Sequence, residues 1–154
     1  MDIIKKDKNG HISHILANDH IPNPAFINEF QTNFFTLKLN SMEIVEGSLN
    51  GYEVDAGGAF LLLHLNIRNN TNEILELYRE DFALFYDKEE PYHPEENFDA
   101  PFQFADEMAL KPLESVKGCY LFIIDKKAKK IGFLHHEYYD EEHFKEYHLH
   151  YKIV

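Results

Sequence analysis

The stretch Ala59-Phe60-Leu61-Leu62-Leu63-His64-Leu65-Asn66-Ile67-Arg68 decides the fold class. Leu61, Leu63, Leu65 and Ile67 recur at every second position, the period of a strand, while His64, Asn66 and Arg68 face the other way at its wet end. An Asn69-Asn70-Thr71-Asn72 turn follows at once. Outward from it the same period returns. Phe35, Leu37 and Leu39 alternate with polar residues, and the apolar phase then moves to Met42 and Ile44. That slip predicts a bulge near Asn40-Ser41. Phe82–Tyr86, Ile131–His135 and Tyr147–Ile153 read as further strands, and Ile74–Leu77 as a short one. Val116–Ile124 is apolar at odd and even positions alike, as a strand covered on both sides would be. Leu61, Leu63, Leu65, Ile67, Leu121 and Ile123 are the expected residues between the sheets.

This gives about seven or eight strands without regular helix–strand alternation, which favours a sandwich over α/β folds. The expectation is an all-β, immunoglobulin-like antiparallel β-sandwich over residues 34–154, carrying an N-terminal extension over residues 1–33. In that extension Ile3–Leu16 reads as a hairpin around Asn9-Gly10. Asn23-Pro24 reads as the start of a short helix running to Gln31, with Phe26, Ile27 and Phe30 on one side. Leu49–Gly58 holds three glycines and reads as a loop.

The order of signals from Phe34 onward resembles a bacterial family of immunoglobulin-like domains of unknown function, telokin-like and of the immunoprotective extracellular antigen type, which includes lipoproteins of Gram-positive bacteria. Three segments carry the likeness: Gly57–Glu73, Asp81–Asp87 with Tyr92 after it, and Leu110–Gly118 continuing through Cys119–Ile124 and Lys126–Ile131. Leu113 stands where that family usually has glycine, which implies an altered turn. The resemblance implies a sandwich fold and protein–protein contact outside a membrane, and it brings no shared catalytic motif.

Composition narrows the function. The 154 residues include 27 acidic and 15 basic ones, for a net charge of -12. Such a chain repels phosphate backbones, so no nucleic-acid partner is expected, and anionic membranes repel it too. A basic protein partner or a cation is attracted. The single cysteine, Cys119, excludes an intrachain disulfide and four-ligand zinc sites that need two cysteines. No 7–15-residue apolar h-region opens the chain and no run of about 18 apolar residues occurs. As written it reads as cytoplasmic without membrane insertion, and as extracytoplasmic if a leader has been removed.

No nucleophile elbow, P-loop or Rossmann glycine pattern is present, so neither catalytic residues nor a cofactor are expected. The segment Asp87–Glu107 is different in character, with eight acidic residues, three prolines and interleaved aromatics. Long loops of this kind are more often functional than idle. Its expected protein-binding residues are Glu89, Glu90, Tyr92, Glu95, Glu96, Phe98 and Phe102: charge to steer a basic partner, rings to anchor it. The same carboxylates, with Asp99, lack the spacing of a calcium loop. Five of the ten histidines fall in the last twenty residues. His148 and His150 share one face of the final strand, and His135, Glu137 or Asp140 would complete a zinc site if one converged on them. Two further readings are therefore a metal-binding protein or enzyme, and a structural domain of a larger assembly.

Overall fold

A computed structural model describes residues 2–9, 12–19, 28–87, 90–97, 102–138 and 140–153. The elements in chain order are β1 (Asp2–Lys6), β2 (Ile12–Asp19), β3 (Glu29–Gln31), β4 (Phe35–Val45), β5 (Ser48–Leu49), β6 (Tyr52–Glu53), β7 (Gly58–Asn69), β8 (Leu75–Tyr78), β9 (Phe82–Tyr86), β10 (Glu107–Leu110), β11 (Ser115–Asp125), β12 (Lys130–Tyr138) and β13 (Phe144–Ile153). A 3₁₀ turn, Arg79–Asp81, joins β8 to β9.

The strands pair in the order β11-β7-β4-β1-β2-β13-β12-β9, folded into a sandwich. One layer is built on β11, β7 and β4, the other on β13, β12 and β9. The β1–β2 hairpin joins them: β1 runs parallel to β4, and the end of β2 pairs antiparallel with β13. The segment expected as a packed extension is thus paired into both sheets, and β1·β4 is a parallel pair within an otherwise antiparallel framework. The expected helix is corrected in part. Glu29–Gln31 is a strand on β4, with Phe30 turned into the core. Phe26 and Ile27 lie outside the described residues.

Between the layers Leu37, Leu39, Met42, Ile44, Leu61, Leu63, Leu65 and Ile67 pack against Phe82, Phe133, Leu149 and Tyr151. The bulge expected at Asn40-Ser41 is present: the β4–β7 register shifts between Leu39 and Ser41, which returns Met42 and Ile44 to the inner face. On β11 the expected phase is wrong. Tyr120, Phe122 and Ile124 face inward, opposite Leu63, Leu61 and Ala59. Leu121 and Cys119 lie on the outer face, buried with Val45, Phe60 and Leu62 in a second apolar cluster, and Ile123 is 40% exposed. Both faces of this strand are apolar, so alternation alone could not choose between them.

That outer cluster is roofed in part by the segment expected as a loop. It contains a tight hairpin, β5–β6, whose Asn50-Gly51 turn takes φ of 50° and 84°, the backbone that an Asn-Gly pair adopts readily. Leu49 and Val54 pack from it onto the cluster. Leu113 has a φ of 62° at the third position of a turn closed by Glu114 N–H donating to Lys111 C=O. A type II turn prefers glycine there.

Candidate protein-binding groove

The open side of the sandwich lies between the edges of β9 and β11, and the acidic segment spans it. At its start Tyr92 pairs with Leu84 on β9, through N–H to C=O bonds of 2.8 and 2.9 Å. The Tyr92 hydroxyl donates to the Ile123 carbonyl on β11, and its ring sits edge-on to Phe122 at 5.7 Å. Burial raises the phenol's pKa. Farther on, Glu95 N–H donates to Leu121 C=O at 2.8 Å, and Phe104 N–H to Cys119 C=O at 2.9 Å. Phe104 is buried against Tyr120. The segment is therefore a strap, hydrogen-bonded to both edges.

Arg79 holds the strap from beneath. Its guanidinium donates to Pro94 C=O at 2.6 Å and lies 3.0 Å from Glu80 and 3.5 Å from Asp106. Asp106 accepts from Asn97 N–H at 2.9 Å, and the Asn97 amide donates to Phe104 C=O at 3.0 Å.

Between the strap and the β5–β6 hairpin runs a groove of about 480 Å³. Its floor is the outer face of β7 and β11: Phe60, Leu121 and the half-exposed Ile123. Tyr52, 52% exposed, forms one wall. Glu53, Glu95 and Glu96 also line it, together with His93 and with Arg79, whose guanidinium is paired with Glu80 and Asp106. An apolar floor with carboxylates in excess of the one guanidinium suits an apolar side chain flanked by positive charge.

The expected binding residues separate into distinct positions. Glu95 and Glu96 line this groove. Tyr92 is partly buried, tying the strap down. Phe102 is 46% exposed and rests on the His64 ring at 5.6 Å, with His64 bonded to Glu43 at 2.6 Å. Glu90 is exposed ahead of Tyr92. Glu89 and Phe98 lie outside the described residues, as does Asp99. Ile123, Tyr52 and Glu53 were missed by sequence reasoning; the Asn50-Gly51 turn was the available signal that Tyr52 and Glu53 follow a hairpin.

The histidines do not converge as the metal reading required. His148 and His150 stand together on the outer face of β13, ring centroids 4.6 Å apart, with Nδ1 of one facing Nε2 of the other. His135 is turned to the inner face of β12, 5% exposed, bonded through Nδ1 to the Asp81 carbonyl at 2.8 Å. Glu137 shares that inner side, and Asp140 binds His143 at 2.9 Å. Glu146 lies 3.9 Å from His148 but 2.8 Å from His136. Among the described residues no group of three or more His, Cys, Asp or Glu side chains is arranged to hold a metal ion.

No family model matches the chain, and no curated protein sequence matches it either. Solved structures do. A candidate lipoprotein of Bacillus subtilis, YcdA, superposes with a TM-score of 0.63 at 16% identity over 81% of this chain, which spans only 38% of that protein. The YjhA protein of Bacillus subtilis gives 0.62 at 12% identity, covering 80% of this chain and 95% of its own. A Listeria monocytogenes protein of unknown function gives 0.62 at 14%, with 82% of each chain covered. The likeness is one of fold. Bacterial proteins without an assigned function thus share this sandwich, and among the described residues no helix is long and apolar enough to cross a membrane.

Proposed function

We propose that this chain is a non-enzymatic protein-interaction module that takes a basic segment of a protein partner into the groove between the strap and the β5–β6 hairpin. The observation that carries the reading is Ile123, a large apolar side chain left 40% exposed beside the covered Phe60 and Leu121, in a groove that Glu95 and Glu96 also line. Desolvating an apolar anchor supplies affinity, and the carboxylates supply steering. The sequence resemblance to immunoglobulin-like domains supports the reading, since contact with a partner outside a membrane is the role that resemblance suggests.

The absence of catalysis is part of the same reading. Its support is Cys119, 1% exposed, whose thiol is pushed up to about 12 by burial and by Glu43. A thiol held protonated is a poor nucleophile. A second reading, zinc binding, draws on the facing nitrogens of His148 and His150. It predicts stoichiometric zinc that a His148→Ala/His150→Ala double variant no longer retains.

Peptide-display selection against the folded chain tests the first reading. The enriched peptides should carry Lys or Arg around a large apolar residue. Ile123→Asp should weaken them about tenfold or more by placing a charge on the floor. Their capture should slow with added salt, and less so in Glu53→Gln/Glu95→Gln/Glu96→Gln. Enrichment without a basic class, or binding indifferent to Ile123→Asp, would sink the proposal.

A further inference from the structure

Lys130 and Lys152 stand directly opposite each other in the β12–β13 register, and both are exposed. Like charges placed so destabilise a sheet. Across β2 the register pairs Lys152 with Asn18, an uncharged residue. Next to Lys130 the chain leaving β9 brings Asp87, whose N–H donates to Lys130 C=O at 2.9 Å. The Asp87 carboxylate turns to the main chain: its Oδ1 accepts from the Lys129 and Lys130 N–H groups at 2.9 and 3.0 Å. Among the described residues neither ammonium forms an ion pair.

Both lysines and Asp87 line an open pocket of about 340 Å³ on the outer face of the second sheet. It shares no residue with the groove under the strap. Phe85 and His150, each partly exposed, supply its rings. Both stand opposite Gly132, one on β9 and the other on β13. A Cβ built at Gly132 would fall 2.1 Å from the Phe85 ring, so the glycine is what lets that ring lie across β12. The Phe85 and His150 rings meet at 5.4 Å, tilted by 59°. Nε2 of His150 faces Nδ1 of His148, which leaves the His150 ring as a wall. Ile131 and Tyr151, which belong to the core, complete the lining.

Two ammonium groups against one carboxylate repel a metal cation or a basic peptide, and a divalent ion would find too few oxygens here. An anion between the lysines relieves their repulsion and gains a charged hydrogen bond from each. The net charge of -12 opposes its approach only at long range. The screening length is about 8 Å at physiological ionic strength, so the charges at the pocket itself decide. A flat apolar body suits the ring that forms the floor. We propose that this pocket binds a small organic anion, its charged head between Lys130 and Lys152 and its flat apolar body against Phe85.

Nitrogen-15 amide spectra of the full chain test this, with benzoate, phenyl phosphate, benzamide and acetate as probes. Benzoate or phenyl phosphate should shift the Lys130, Gly132 and Lys152 amides together and saturably, and the tighter of the two assigns the head as carboxylate or phosphate. Benzamide, the same shape without the charge, should bind about fivefold more weakly than benzoate, or worse. Acetate, which keeps the charge and lacks the ring, should lose several-fold as well. Lys130→Gln/Lys152→Gln changes two exposed side chains and should cost the aromatic anions about as much as benzamide loses. Should that variant fail to fold, the comparison of benzoate with benzamide decides on the unaltered chain. Equal binding of benzoate and benzamide, acetate as tight as benzoate, no loss in the folded double variant, or no saturable shift with either aromatic anion overturns the proposal. None of these outcomes depends on Ile123 or on the groove carboxylates, so the two readings stand or fall separately.

Discussion

The two sheets have opposite outsides. At one end of β7 and β11 the outer face is apolar and roofed: Phe60, Leu62, Cys119 and Leu121 are all nearly inaccessible under the β5–β6 hairpin and the strap. Behind β12 and β13 the outer face carries His136, Glu146, His148 and His150, with the exposed rings of Tyr138 and Phe144 against His136. A roofed face buries area that stabilises the fold and leaves a seam where the roof pieces meet. A mostly polar face needs no roof. The groove is such a seam, and Ile123 is the part of the apolar face that the two roof pieces leave uncovered.

The sharpest way to break this contrast is to truncate neighbouring leucines on opposite faces of β7. Leu63→Ala opens a cavity between the sheets and should cost about 2–5 kcal/mol. Leu62→Ala should fall in the same range, because its face is covered just as fully. Urea denaturation measures both, and a Leu62→Ala loss below about 1 kcal/mol would mean that the roof does not bury its sheet.

A smaller effect is expected where the strap is seated. A Cβ built at Gly118 would lie 2.5 Å from the Phe104 ring and 3.1 Å from the Phe102 carbonyl oxygen. Gly118→Ala should therefore cost about 1–3 kcal/mol by overpacking. It should also speed hydrogen exchange at the Phe104 amide more than at Leu63. Unchanged exchange there would show that the strap does not depend on this seat.

The gentlest perturbation acts on the second sheet. His135 has its pKa lowered by burial, against weaker raising contributions from Asp81 and Glu137. The unfolded state, with a histidine near its usual value of about 6.5, then binds a proton more readily than the folded one. Stability from this group is present above about pH 6.5 and is lost as pH falls towards the folded pKa. Chemical denaturation at pH 7.5 and 5.5 should show that loss, and His135→Gln should flatten it. An unchanged slope in the variant would place the pH dependence elsewhere.

The strands were legible wherever one face is wet. Phe35–Leu39 and Tyr147–Ile153 alternate cleanly, and even the slip at Asn40-Ser41 could be read as a bulge. On β11 every position from Cys119 to Ile124 is apolar, so the pattern marks a strand without marking its inside; the pairing of Tyr120 with Leu63 decides it. Asn23-Pro24 is a sound helix start, but Phe30 gains more by entering the core from a strand on β4 than local preference could oppose. His135 and His148 lie on strands adjacent in sequence and on opposite faces, a consequence of register that spacing does not carry. The acidic segment was singled out by its composition, yet its bonds to Cys119 and Leu121 are long-range contacts that composition does not carry.

The placement of β1 and β2 bears on how the chain is made. Ala17–Asp19 are synthesised long before Tyr151–Ile153, the residues they pair with. The seam between the two layers cannot zip until β13 has been made. Until then β2 presents an unpaired edge, the kind that invites pairing with a neighbouring nascent chain. Such wide sequence separation also slows the search for native pairing. For this molecule the interval between synthesis and closure is the period of greatest exposure to aggregation.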